Sequence, residues 1–306
     1  MVPVLDLGNP RNPVTKLGSV GVTYNIGTYE VTAGQYTAFL NAVAQQSDPN
    51  NLYNSSMGAP GGCGIIQSGS PGNYSYQIDP AHVNDFTNRP VNFVSFWDAA
   101  RFANWLQHGQ PTGVQEDSNS TEDGTYTLTA DGISSNSIIR NDGASWAVAS
   151  DNEWYKAAYY NPTTQTYNKY PTSSNNIPGR NLLDPAPGNN ANYFGSGAFP
   201  IQSPYYTTIV GQFANSLSPY GTADQGGNVA EWTETIESST DRRLRGGQYN
   251  AGAAYMSSTI SDSDGAGNLD PYVGFRIVEV TPEPASMGIL GLGVIGMLIR
   301  RKGARK

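Results

Sequence analysis

Between Thr32 and Ala44 the apolar residues Tyr36, Phe39, Leu40 and Val43 recur three and four positions apart, which places them on one face of a helix. Thr32 is followed three residues later by Gln35, the sequence of a capping box, so an amphipathic helix is predicted to start just after Thr32. The device recurs in a looser acidic form at Ser95 and Asp98, ahead of a helix over Ala99 to Leu106 whose Phe102 and Trp105 or Leu106 face the core. A third copy pairs Ser150 with Glu153 before W-Y-K-A-A-Y-Y.

Outside these three helices the hydrophobic pattern is short and broken. T-Y-T-L-T (Thr125 to Thr129), Y-T-T-I-V (Tyr206 to Val210), R-L-R-G-G and G-F-R-I-V-E-V read as brief strands. Between the elements run long glycine-, serine- and asparagine-rich loops, Ser47 to Pro80, His108 to Ser145 and Asn161 to Pro200. Loops of that length in a compact domain point to a functional role or to fixing by a ligand. No internal repeat at a fixed period is visible.

The composition agrees, with 35 glycines and 20 prolines in 306 residues, while 14% charged residues is too few for a disordered polyelectrolyte. The net charge of -8 conceals an asymmetry, because Arg300, Arg301, Lys302, Arg305 and Lys306 crowd the end of an otherwise acidic chain. An acidic body without a basic stripe excludes nucleic acid held through phosphates and suits divalent cations or neutral ligands. Cys63 is the single cysteine, so an intrachain disulfide, a thiolate zinc site and a two-thiol relay are all excluded. Its G-G-C-G-I setting reads as a flexible loop with a tolerated small residue. The two histidines, His82 and His108, are too far apart for a metal-binding pair on one helix and read as surface or loop residues.

From Thr281 the pattern changes abruptly to T-P-E-P-A-S, an uncharged apolar run ending at Ile299, and a basic end. As a helix, Ala285 to Ile299 spans roughly 22 Å, short of a ~30 Å hydrocarbon core but able to cross with local thinning and snorkelling flanks. The basic end is expected to stay cytoplasmic. The box Pro282-Glu283-Pro284, the glycine-rich apolar run and the basic end resemble the PEP-CTERM sorting signal of Gram-negative bacteria. That resemblance implies export, an exosortase-type sorting enzyme as partner, and removal of the tail. The first residues, M-V-P-V-L-D-L-G-N-P, lack the features of a signal peptide. The expectation is a start site placed too far downstream, or a trimmed chain.

Three further motifs, D-Q-G-G-N-V-A-E-W (Asp224 to Trp232), R-L-R-G-G-Q-Y (Arg243 to Tyr249) and G-F-R (Gly274 to Arg276), resemble the formylglycine-generating, sulfatase-modifying-factor family. E-V-T-A-G-Q-Y-T-A-F, R-P-V-N-F-V-S-F-W-D-A-A-R-F-A-N-W and A-S-D-N-E-W-Y-K-A-A look like its earlier blocks, in order. The resemblance implies an α+β, C-type-lectin-like fold with little regular secondary structure and long loops, plus a short C-terminal hydrophobic helix. It divides the chain into a lead-in over residues 1–20, one domain over 21–280 and a sorting segment over 281–306. One departure is that Ala147-Val148-Ala149-Ser150 stands where the family usually reads R-L-P-T, so the role of that arginine is in doubt.

Active members carry two redox cysteines after R-G-G, and here those positions hold Ala251 and Met256. Thiolate is the soft ligand that copper needs, so copper is not expected and no catalytic residue is assigned. The histidine cluster of iron-dependent relatives is absent as well. Asp224 and Glu231 bracket a Gly-Gly turn, a pattern that suits either a hard cation or a tight turn with acids facing water. The resemblance favours calcium on the Asp224 and Glu231 side chains and the Gly227 and Val229 carbonyls, and puts the start of a second site at Asn192 and Tyr193. Asn228, Trp232, Arg245 and Arg276 are candidate ligand-contacting residues, the arginines either orienting a peptide or carboxylate or bracing loops by ion pairs. The expectation is an exported, cell-surface or extracellular-matrix protein that is non-catalytic, stabilised by calcium, and binds a matrix polysaccharide or peptide. The alternative is a protein-modifying oxidoreductase of the same family with unrecognised chemistry.

Overall fold

The structure is a computed structural model that describes residues 1–82, 86–115 and 118–280. The sorting segment over 281–306, with its expected hydrophobic helix and Pro282, Glu283 and Pro284, lies outside the described residues. Among the described residues no helix is long and apolar enough to cross a membrane.

All three capping boxes form. Helix α1 (Ala33–Val43) starts after Thr32, whose hydroxyl accepts the Gln35 N–H at 3.3 Å while the Gln35 side chain accepts the Thr32 N–H at 2.9 Å. Helix α2 (Phe96–Gln107) is capped by Ser95 and Asp98, α3 (Ala130–Ser134) is one short turn after Thr129, and α4 (Asp151–Tyr159) is capped by Ser150 and Glu153. The apolar stripes of α1 and α2 meet in an aromatic core, with Phe39 5.3 Å from Phe102 and 5.2 Å from Trp105, and Phe102 5.4 Å from Phe275. Each such ring removed from water contributes roughly 1.5–3 kcal/mol, with edge-to-face pairing adding to it.

Two four-stranded sheets complete the body. In the first, β1 (Val2–Val4), β2 (Tyr24–Ile26), β12 (Ile277–Val280) and β5 (Trp146–Val148) lie side by side and antiparallel. In the second the order is β10 (Asp262–Gly265), β9 (Asp241–Arg245), β8 (Ala230–Ile236) and β11 (Val273–Phe275), with β11 parallel to β8 and Phe275 beside Trp232. Arg276 alone separates β11 from β12, so the chain passes from one sheet to the other across that residue. The lead-in is built into the body: β1 is an edge strand, and the Asn12 side chain donates to the Tyr155 hydroxyl at 2.9 Å.

Two expected strands are absent. Thr125 to Thr129 and Tyr206 to Val210 are irregular because side-chain amides and loop backbone, not a neighbouring strand, take up their backbone. The Tyr126 N–H donates to the Asn104 side chain and the Thr208 N–H to the Asn228 side chain, both at 2.8 Å. Conversely, the loop after Ser47 contains a hairpin, β3 (Ile65–Ser70) with β4 (Asn73–Ile78), in which β4 alternates polar and apolar residues while the outer end of β3 is exposed and polar. Small two-residue strands β6 (Tyr160–Asn161) and β7 (Thr166–Tyr167) follow α4. Cys63 sits in the core rather than in a flexible loop, and burial pushes its thiol up to about 11, so it is chemically inert.

Candidate functional site

The first and third of the late motifs and α4 converge on one buried guanidinium. Arg276 donates through Nε to Glu231 Oε2 at 2.8 Å and through Nη2 to Glu231 Oε1 at 2.7 Å. Its remaining donors go to the carbonyls of Gly27 and Ala223, at 2.7 and 3.0 Å. Trp154 Nε1 donates to the same Glu231 Oε2 at 2.7 Å. Glu231 and Arg276 are both fully buried, and this bidentate, hydrogen-bonded arrangement is the geometry that lets a buried ion pair persist.

The other candidate residues are also internal. Arg245 donates to both oxygens of Asp151, at 2.6 and 2.9 Å, and to the Ile260 carbonyl at 2.7 Å. Trp232 is buried with its indole N–H on the Val94 carbonyl at 2.9 Å. The Asn228 carboxamide accepts from the Thr208 N–H and donates to Glu30 Oε1 at 3.0 Å. Of the two roles open to the arginines, the geometry supports bracing: all three nitrogens of each guanidinium donate to protein oxygens. The small recess beside Arg245, about 10 Å³, has room for no more than a water. A larger cleft of about 440 Å³ opens between α1, α2 and the first sheet, lined by Tyr29, Val31, Phe102, Trp105, Trp146 and Ile277 but by none of the candidate residues.

The glycines of D-Q-G-G-N are dictated by packing. Gly227 lies at φ +78°, and a Cβ there would stand 2.1 Å from the Asn192 carbonyl oxygen, because the Asn228 N–H donates to that same oxygen at 2.7 Å. Only glycine combines that approach with the left-handed backbone. Asp224 and Asn228 share the left-handed region at φ +59° and +60°, which these residue types tolerate.

Of the four donors that the resemblance assigns to calcium, the two carboxylates already have protein partners. Glu231 is committed to Arg276 and Trp154, while Asp224 keeps a rim of solvent contact and accepts the Gly211 N–H. Among the described residues no three carboxylate, imidazole or thiol side chains converge as a ready metal cage. Carboxyl groups nonetheless outnumber guanidinium here. Glu30, Asp224 and Glu231 interact electrostatically around the single guanidinium of Arg276, and the buried atoms Glu30 Oε2 and Asn192 Oδ1 have no hydrogen-bond partner. Burial, then the charge of Asp224, pushes the Glu30 carboxyl well above its ordinary range, and burial together with Glu231 and Asp184 pushes Asp224 up to about 6.

Two features escaped sequence reasoning. Arg140, from a loop without periodicity, donates to both Glu153 oxygens at 3.0 and 2.8 Å and to Glu234 at 2.9 Å. Burial would raise the Glu153 carboxyl, but Arg140 and the Ser150 hydrogen bonds outweigh it and hold Glu153 below its ordinary value. Arg140 thus places a guanidinium on the capping acid of the very block that departs from R-L-P-T. The second feature surrounds the missing redox pair. Met256 is fully buried, packed with Tyr170, Ala191 and Tyr193. Ala251 is partly exposed, and its carbonyl accepts the Phe194 N–H at 2.9 Å beside a cluster formed by Phe194, Phe199, Tyr206 and Tyr249.

The family model of the sulfatase-modifying factor enzyme 1-like domain matches residues 8–281, and that of the PEP-CTERM protein-sorting motif matches residues 280–302. No curated protein matches the chain. Among solved structures it is similar to one described as the crystal structure of CarF, with a TM-score of 0.57 and 24% identity, covering 92% of this chain and 98% of that one. It is also similar to variable protein 1 of Treponema denticola, with a TM-score of 0.55 and 19% identity, covering 92% and 95%. These likenesses establish the fold, the α+β, C-type-lectin-like fold of the formylglycine-generating type. The chain belongs to the sulfatase-modifying factor enzyme 1-like family, and its C-terminal motif marks it for export and membrane-anchored sorting in the envelope.

Proposed function

We propose that this exported member of the sulfatase-modifying factor family is a non-catalytic recognition module, released from its sorting segment to act at the cell surface or in the extracellular matrix. The observation that carries this reading is the state of the two positions where the family places its redox cysteines. Ala251 has no reactive side chain, and Met256 is a core residue whose carbonyl accepts the Tyr159 hydroxyl at 3.0 Å. With Cys63 buried, the chain holds no thiol that a substrate could reach. What persists is the frame: Arg276 on Glu231, Arg245 on Asp151, and Trp232 on Val94.

Calcium enters the reading in a restricted form. Asp224 and the Gly227 and Val229 carbonyls remain on the loop, Glu231 is spent on Arg276, and the surplus of buried carboxylate over guanidinium is the feature a divalent cation would offset. When bound, the ion would stiffen the loops and supply no redox chemistry. The catalytic alternative is tested by incubating the full chain with a C-x-P-x-R peptide, copper and reductant. No formylglycine is expected by mass spectrometry, and any peptide mass loss matching conversion of the cysteine overturns the non-catalytic reading.

A further inference from the structure

The aromatic cluster beside Ala251 has the attributes of a ligand shelf. Phe194 and Phe199 are 5.0 Å apart, Phe199 and Tyr206 are 5.3 Å apart, and Tyr206 stacks on Tyr249 at 5.5 Å with an interplanar angle of 19°. Phe194, Phe199 and Tyr206 each keep part of their surface in solvent, with Tyr249 buried beneath them. Tyr206 is held at φ +56°, a conformation that a bulky side chain rarely adopts, and the Asn192 side chain pins its carbonyl at 2.9 Å. Backbone forced into that region is concentrated at ligand clamps, where surrounding structure holds a side chain in place.

The shelf is also uncharged by construction. Its rings come from two stretches, 185–223 and 246–261, neither of which contains an Asp, Glu, Lys, Arg or His, in a chain that carries 42 charged residues. Arg180 reaches the rim, but its guanidinium is engaged by the Ala198 carbonyl at 2.8 Å and lies over the Tyr193 ring. A cationic or anionic ligand would find no counter-charge along the rings. A neutral chain with weakly positive C–H faces suits aromatic rings, whose faces are negative.

We infer that Phe194, Phe199 and Tyr206 form a binding site for a neutral polysaccharide, stacked on the rings at the place where active relatives would carry their redox pair. This inference names the ligand of the recognition module proposed above and rests on that reading. The test is retardation of the full chain, in a polyoxyethylene detergent free of sugar, through native gels cast with hydroxyethylcellulose, dextran, galactomannan or alginate. Retardation by at least one neutral polymer and none by alginate is expected. Phe199→Ala combined with Tyr206→Ala should weaken the apparent affinity at least tenfold, and Arg180→Gln should leave it unchanged. If the double variant fails to fold by thermal melting, Phe199→Leu keeps the apolar bulk and removes the ring, and should still weaken retardation.

The inference is overturned if no neutral polymer retards the wild-type chain or if retardation survives loss of the rings. It is equally overturned if alginate binds through Arg180, or if a peptide displaces the polymer from the shelf with higher affinity. Absence of retardation together with absence of formylglycine formation sinks the shelf alone. Formylglycine formation sinks the non-catalytic reading on which it rests.

Discussion

Asp224→Asn is the most discriminating single substitution. In the folded protein the Asp224 carboxyl is raised from 3.8 to about 6, because burial and the neighbouring Glu231 and Asp184 disfavour its charge more than the Gly211 N–H and Arg276 favour it. A carboxyl raised on folding binds its proton more tightly in the folded chain. The stability it contributes is full below the unfolded value of about 3.9 and is lost as pH climbs to the folded value. A shift of about two units sets a ceiling of ~3 kcal/mol, and the rim of solvent at Asp224 lowers the expectation to ~1–2 kcal/mol. Asparagine keeps the acceptor for Gly211, tolerates φ +59° and cannot ionise. Urea unfolding in the presence of chelator should show wild-type stability falling between about pH 4 and pH 7. The Asp224→Asn chain should lack that part of the slope and be the more stable of the two at pH 8. Adding calcium at pH 8 should then narrow the difference, since a carboxylate holds the ion more strongly than the neutral amide oxygen of asparagine. If Asp224→Asn is the less stable protein at pH 8 in chelator, the carboxylate is stabilised by its charge and the electrostatic account of this cluster is wrong.

Arg276→Met should cost about 3–5 kcal/mol because it strands the buried Glu231 carboxylate and leaves the Gly27 and Ala223 carbonyls unpaired; the urea midpoint measures it, and a loss below 1 kcal/mol would contradict the bracing role. Gly227→Ala is expected to abolish soluble expression, since the added methyl meets the Asn192 carbonyl at φ +78°; a soluble variant with unchanged melting temperature would refute the packing argument. Thr32→Ala removes one half of the α1 capping box and should cost about 1 kcal/mol, with Thr32→Ser restoring most of it in thermal melts.

The helices and one sheet join were legible in the sequence, the strands of the middle region were not. Capping boxes at Thr32, Ser95 and Ser150 involve partners three residues away, so the local chain carries the whole signal. The pieces R-L-R and G-F-R-I-V-E-V became strands because each found a neighbour, whereas T-Y-T-L-T and Y-T-T-I-V have the same β-leaning composition and found amide side chains and loop backbone instead. Strand propensity describes fitness for a pleated surface and cannot supply the partner.

The candidate site divides in the same way. The family resemblance singled out Asp224, Asn228, Glu231, Trp232, Arg245 and Arg276 as candidates, and the presence of one cysteine alone excluded a two-thiol relay whatever the fold. What those residues do was decided by contacts between distant parts of the chain. Glu231 meets Arg276 across 45 residues and Trp154 across 77, and Arg245 meets Asp151 across 94. A carboxylate can serve a cation, water or a guanidinium equally well, and which it serves depends on what packing brings within 3 Å and shields from solvent. Sequence determined which groups are available and which chemistry is impossible; the tertiary structure assigned each group its partner.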